Sequence, residues 1–332
     1  MIKSKLHAFL RGALLVIALM ASVSLLVMNL FYLSEVQYDS TEKVTVSAFL
    51  LQSIPLLIGI GLLSVLVFQC RETLERVNLK KLYGILSLVY TGIILYFFLN
   101  IDPILRADPK SVHQTALNVL AGVFTDFEKG GYLYRYPHQL GLVLYDCALA
   151  LFSANPLWNM MVNYLMVLGI NYTALGISQT LFQEKAIAAL TLLCSFAFLP
   201  QLFFTLFVYG LIPGFFFLYA AFYQALRFAR AHRWRNLLAL VLLSAGAVVL
   251  KSNYAIGIVA IWIYLVLELL KGKWNWKTAA ALVCLALCLV VPGKLVKGCF
   301  QSITGCPASG GTPMILYLAM GTDIDWTKKC IR

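Results

Sequence analysis

The sequence predicts an all-α, polytopic transmembrane helical bundle of about nine to ten membrane helices, with an extracytoplasmic loop that carries a surface helix. Three observations predict it. Of 332 residues, 61% are hydrophobic and 12% charged, where a soluble domain carries about a quarter charged residues. The apolar residues form runs of membrane-spanning length, and the charges fall in short clusters between them. With a mean hydropathy of +0.84, this pattern excludes a soluble enzyme, a nucleic-acid binder and a disordered tail. The formal charge of +12 therefore reports topology before partners.

The apolar runs are, in order, Gly12 to Leu33, Ser47 to Gln69, Leu82 to Asn100, His138 to Ser153, Leu157 to Thr180, Ala186 to Leu202, Phe207 to Leu226, Leu237 to Leu250, Tyr254 to Leu270 and Thr278 to Val291. Lipid offers no partner for free backbone groups, and these runs lack the alternating polar face of barrel strands, so helices are predicted. The first run is too long for a signal peptide and lacks a clear small-residue cleavage site, so it reads as a retained span. Basic clusters at Lys3 to Arg11, Arg71 to Lys81, Arg227 to Arg235 and Lys271 to Lys277 mark the cytoplasmic side. That places the N-terminus in the cytoplasm and the C-terminus outside the plasma membrane. Between Pro137 outside and Arg227 inside lie four apolar runs, where an odd number of crossings is required. One of them must fail to cross, and the short run from His138 and the run broken by Gly210, Pro213 and Gly214 are the two candidates.

Three segments follow: 1–81, an N-terminal transmembrane hairpin and cytoplasmic loop; 82–293, a transmembrane core with the outer loop 101–137; and 294–332, an outer C-terminal segment. No internal repeat stands out. Within the outer loop, Pro109 follows Asp108 at a helix start, and Val112, Ala116, Val119, Leu120 and Val123 recur at helical spacing, predicting an amphipathic helix lying on the membrane with its apolar face down.

The same loop holds the densest polar and aromatic material in the chain, ending in Gly130-Gly131-Tyr132-Leu133-Tyr134-Arg135-Tyr136-Pro137-His138-Gln139. Tyrosines offer flat faces and hydroxyls suited to a sugar, and Arg135 and His138 can donate to phosphate. On composition alone, the simpler account is an aromatic interface belt with snorkelling cations. Asp108 can cap its own helix or act as a base. Lys251, at the outer end of its helix, reads either as a phosphate contact or as a snorkelling anchor. Asp146 is a carboxylate inside an apolar run, eight residues after His138, placed to orient that histidine or to bond between helices.

Asp108 heading a surface helix, the Gly-Gly-Tyr turn, and Tyr136-Pro137-His138-Gln139-Leu140-Gly141 opening a helix together resemble bacterial relatives of the protein O-mannosyltransferases, polytopic glycosyltransferases of the GT-C class. Tyr209-Gly210 with Ile212-Pro213-Gly214, and Leu250-Lys251-Ser252-Asn253, extend the likeness from about Asn100 to Met320. The resemblance implies transfer of a sugar from a polyprenyl-phosphate donor to a glycan, lipid or protein acceptor, with Asp108 as general base. It implies His138, Arg135 and Lys251 on phosphate, and Tyr132, Tyr136 and Gln139 lining the sugar or acceptor site. Asp39 in the first outer loop is the competing base. Leu211 departs from the pattern, since relatives carry a polar or acidic residue there. Members of the class continue with further helices where this chain stops, so the resemblance is to a C-terminally truncated relative.

No cofactor and no metal site are predicted, although Asp102, Asp108 and Asp126 offer oxygens to a hard cation. Membrane lipids are expected partners and nucleic acid is not. Cys299 and Cys306 lie in an outer segment where a disulfide is permitted. The competing readings are a transporter or lipid flippase, suggested by the glycine and proline break, and a noncatalytic relative.

Overall fold

A computed structural model describes residues 2–38, 42–48, 50–271, 275–306 and 311. It is helical apart from one short hairpin. Helix α1 (Ile2–Phe31) leads into strands β1 (Tyr32–Tyr38) and β2 (Glu42–Ala48), then α2 (Leu50–Gln69). The strands pair antiparallel in the register Tyr32↔Ala48 to Tyr38↔Glu42. The Lys-Val-Thr-Val stretch of β2 is β-branched and alternating, which explains a ribbon where a plain loop was expected. Asp39 lies outside the described residues.

After α3 (Arg71–Arg76), α4 (Leu79–Asn100) starts where the Asn78 side chain accepts from the Lys80 and Lys81 amides, satisfying two of the orphan donors of the first turn. The stretch after α4 folds as α5 (Ala107–Leu120), a 3-10 turn, α6 (Tyr132–Arg135), a second 3-10 turn over Pro137–Gln139 and the short α7 (Leu140–Ala150). The remainder is α8 (Pro156–Leu181), α9 (Lys185–Ala197), α10 (Leu199–Phe203), α11 (Leu211–Ala231), α12 (Trp234–Leu250), α13 (Ala255–Lys271), α14 (Trp276–Cys288) and α15 (Val291–Thr304).

All ten apolar runs contain helix, yet nine to ten crossings are not found. Five helices in the described residues are long and apolar enough to cross a membrane, or up to seven if two bent pairs each count as one span. Helix α7 has 11 residues, roughly 16 Å at the helical rise, about half the hydrocarbon thickness. By length it falls short of a span. Gly210, Pro213 and Gly214 do not break a span; they open α11, with Gly210 as its N-cap. The break lies earlier, where α9 and the α10 segment meet at 53° around Pro200, a residue whose ring cannot continue the preceding helix.

Leu15, Leu19, Leu62 and Leu88 are each more than 60% exposed, and the apolar window of α1 is unburied. Hydrophobic surface of this extent fits a lipid solvent, as in a membrane protein. Inside, three clusters form the core: around Leu192 and Val167 between α4, α8 and α9; around Val143 and Ala116 between α5 and α7; and around Phe228, Leu240 and Leu265 between α11, α12 and α13. The apolar face of α5 is thus turned onto α7: Val112 and Ala116 are buried against it, whereas Leu120 and Val123 are each 45% exposed. Packing against protein accounts for the buried part of this face.

Candidate functional site

Four separated stretches meet at one end of the bundle. Tyr209 sits where the chain turns into α11, and Gly210 makes the turn with φ +74. Only glycine suits that position: a Cβ there would lie 2.9 Å from the Leu142 side chain and 3.1 Å from the Leu250 carbonyl, in a conformation disfavoured for L-residues. The turn aims the Tyr209 hydroxyl at α5, where it donates to Asp108 Oδ2 at 2.8 Å. The buried Gln139 donates from Nε2 to the same hydroxyl. From the end of α12, the Lys251 ammonium stands 3.8 Å from the Tyr209 ring centroid, a cation–π contact.

Asp108 itself is exposed. It lies in the first turn of α5, just after Ala107 with φ 50, a left-handed conformation that costs a side-chain-bearing residue roughly 1–2 kcal/mol. The Tyr209 hydroxyl is pushed upward, first by burial and then by the Asp108 hydrogen bond, so it remains a donor at neutral pH. Burial lowers Lys251, an effect Asp108 opposes. Burial also lowers His138, Lys251 lowers it further, and Asp108 opposes both. Asp108, Lys251 and His138 therefore feel one another's charge.

The aromatic side of the site follows. Tyr132 and Tyr136 pack with ring centroids 5.2 Å apart, and Tyr136 meets the His138 ring edge-on at 6.1 Å. The Tyr132 hydroxyl lies close enough to Tyr209 to raise it. Of the residues singled out in the sequence, Asp108, Tyr132, Tyr136, His138, Gln139 and Lys251 converge here. Arg135 is exposed on α6.

Asp146 belongs elsewhere. It does not orient His138; it is 2% exposed and binds His113 Nδ1 at 3.0 Å through Oδ2, while Asn159 donates to Oδ1. The other ring nitrogen, Nε2, meets the Ala154 carbonyl at 3.0 Å. A carbonyl only accepts, so Nε2 carries a proton, and the hydrogen bond to Asp146 raises the imidazole above its ordinary range. The pair is a buried imidazolium–carboxylate link between α5 and α7, five residues from Asp108. Asp126 is likewise occupied, accepting from Thr115 and Asn118 at 2.9 and 3.1 Å. Among the described residues, no three of His, Cys, Asp and Glu gather as metal ligands. Cys299 and Cys306 are free thiols, exposed and part-buried.

Sequence reading missed Tyr209, His113 and Asn159 as functional positions. Tyr209 had a signal, its place beside a glycine near the start of an apolar run; His113 and Asn159 had none, because their partners are distant in sequence.

Next to the polar cluster, a cavity of about 520 Å³ is lined by Ile170, Ser195, Gln201, Leu211, Phe215 and Tyr254 among others. Tyr254 donates to the Leu211 carbonyl at 2.7 Å, and these two residues follow Lys251 and Tyr209 by three and two positions, so the apolar cavity adjoins the charged cluster. The opposite end of α11 carries Arg227 and Arg230, about 30 Å away at the helical rise. Comparison of the chain with protein-family models, with curated proteins and with solved structures returns no match.

Proposed function

We propose that the protein is a membrane glycosyltransferase that moves a sugar from a polyprenyl-phosphate donor to an acceptor hydroxyl on the extracytoplasmic side of the plasma membrane. The observation that carries this reading is the Asp108 carboxylate, held by Tyr209 and flanked by Lys251, beside an apolar cavity. Such a junction suits a substrate with a greasy chain and a charged head. In the reaction, the acceptor O–H proton passes to Asp108 while the acceptor oxygen bonds to the anomeric carbon. The bond from that carbon to the phosphate oxygen breaks, and polyprenyl phosphate leaves with the electron pair. Lys251 and His138 stabilise the growing phosphate charge, Tyr209 and Gln139 hold the carboxylate in place, and Tyr132 and Tyr136 offer the sugar their faces. The basic clusters at the far end of α11 support a cytoplasmic N-terminus and an outward-facing site.

Transfer of radiolabelled sugar from a polyprenyl phosphate by the protein in liposomes tests this. Asp108→Asn keeps the shape and removes the base, and transfer falls by about 10²-fold or more; unchanged transfer refutes the assignment. A second reading, lipid translocation, is favoured by the 53° bend between α9 and α10 at the cavity wall. It expects labelled lipid to change leaflet with no covalent product in the same liposomes.

A further inference from the structure

On the other side of His138 lies a separate cavity of about 240 Å³ between α7, α12, α14 and α15, lined among others by His138, Gly141, Val249, Ser252, Val296 and Lys297. Its floor is a close helix contact: a Cβ on Gly141 would fall 2.0 Å from the Val249 carbonyl, so α7 and α12 meet backbone to backbone. None of the described residues lining it is acidic, and Lys297 is the one cationic side chain among them. Ser252 and His138 are the other polar side chains in the lining, while Leu140, Leu289 and Val296 make the remaining walls apolar. At slightly below the ~300 Å³ where pockets for drug-sized ligands begin, the space fits a headgroup and not a whole lipid.

We infer that this cavity seats a phosphoryl group of a second substrate, with Lys297 as its countercharge and Ser252 as its hydrogen-bonding partner. A cation and hydroxyl in a half-apolar pocket stabilise a phosphate by charge-assisted hydrogen bonds, and the rim suits an alkyl stem. Because His138 borders both this cavity and the Lys251 cluster, a phosphoryl group bound here lies next to the proposed donor. Resting on the glycosyltransfer reading, the seat then assigns the acceptor to the phosphate-bearing compounds, either a lipid headgroup or a free phosphate ester.

The test is equilibrium binding of ³²P-labelled dodecyl phosphate to the full chain in neutral detergent. The wild type binds two equivalents, one at Lys251 and one at Lys297. Lys297→Gln, at an exposed position, loses one equivalent or weakens it about tenfold or more, and Lys297→Arg restores it. Lys251→Gln loses the other. Binding by Lys297→Gln that matches the wild type in stoichiometry and affinity overturns the seat. A single wild-type equivalent that Lys297→Gln abolishes supports the seat and removes the donor site from the proposed function. Unlabelled inorganic phosphate separates the sources: displacement of the Lys297-dependent equivalent at matched concentration identifies a free-anion seat, and its failure identifies a lipid-borne headgroup. Asp108→Asn leaves both cations in place, so retained transfer in that variant counts against the glycosyltransfer reading and leaves the seat standing.

Discussion

Replacing Asp146 by leucine removes the acceptor on which both His113 and Asn159 depend. The carboxylate is 2% and the imidazole 7% exposed, so neither loss is made good by water. Removing one member of such a buried pair costs about 3–5 kcal/mol. The double variant Asp146→Leu with His113→Phe removes both charges; it leaves the Asn159 amide without its acceptor, a cost of about 1–3 kcal/mol, and the Ala154 carbonyl without its donor, at a residue exposed to water. It is therefore more stable than Asp146→Leu alone. The pair also gives stability a pH dependence with a definite sign. Asp146 raises His113 above its ordinary value of 6.5, so between the two values the folded chain holds more protons than the unfolded one. The contribution is complete below about pH 6.5 and is lost as pH rises through the folded value, at up to about 1.4 kcal/mol per pH unit. Thermal unfolding in detergent, from about pH 6 to about pH 9, is the assay, read as the wild type minus the double variant. A double variant less stable than Asp146→Leu, or a difference that grows as pH rises, refutes the buried imidazolium.

Three further outcomes are expected. Lys251→Met removes the cation that lowers His138, so the midpoint for its acylation by diethylpyrocarbonate moves up, while Asp108→Asn removes a charge that raises it and moves the midpoint down; two shifts of the same sign contradict the shared electrostatics. Tyr209→Phe deletes the hydroxyl linking Gln139 to Asp108, costing about 1 kcal/mol of stability and lowering transfer without abolishing it; a chain that transfers at the wild-type rate shows that the link plays no part. Gly210→Ala forces a left-handed alanine against Leu142 and Leu250, costing at least about 1–2 kcal/mol in the same unfolding assay, and an unchanged midpoint would mean the turn is not as described.

Much of the helical framework is legible in the sequence because lipid-facing helices need unbroken apolar composition, and composition is a local property. Crossing number is less legible. Leu140 to Ala150 is as apolar as a span but ends after three turns, where Leu151 and Phe152 leave the helix and Asn155 caps the next one. The convergence of Asp108, His138, Gln139 and Lys251 follows from the order of motifs, since each lies near a helix end and those ends meet at one end of the bundle. Which polar residue pairs with which does not follow. Asp146 and His138 lie at related positions along one stretch, yet their directions depend on what packs beside α7, and α5 arrives there with His113. A histidine on the flank of an amphipathic helix carries no local mark of a partner 33 residues away.

The hydrogen bond from Tyr209 to Asp108 spans 101 residues, whereas His113 and Asp146 are separated by 33. At a synthesis rate of about 5–20 residues per second, the ribosome supplies Asp146 about 2–7 s after His113 but Tyr209 only about 5–20 s after Asp108. During biogenesis, both partners of the α5–α7 clasp are therefore available well before α11 is made. The Asp108 carboxylate gains the hydroxyl that holds it only when Tyr209 follows, and a nascent chain stalled between α8 and α10 has both halves of the clasp without the site.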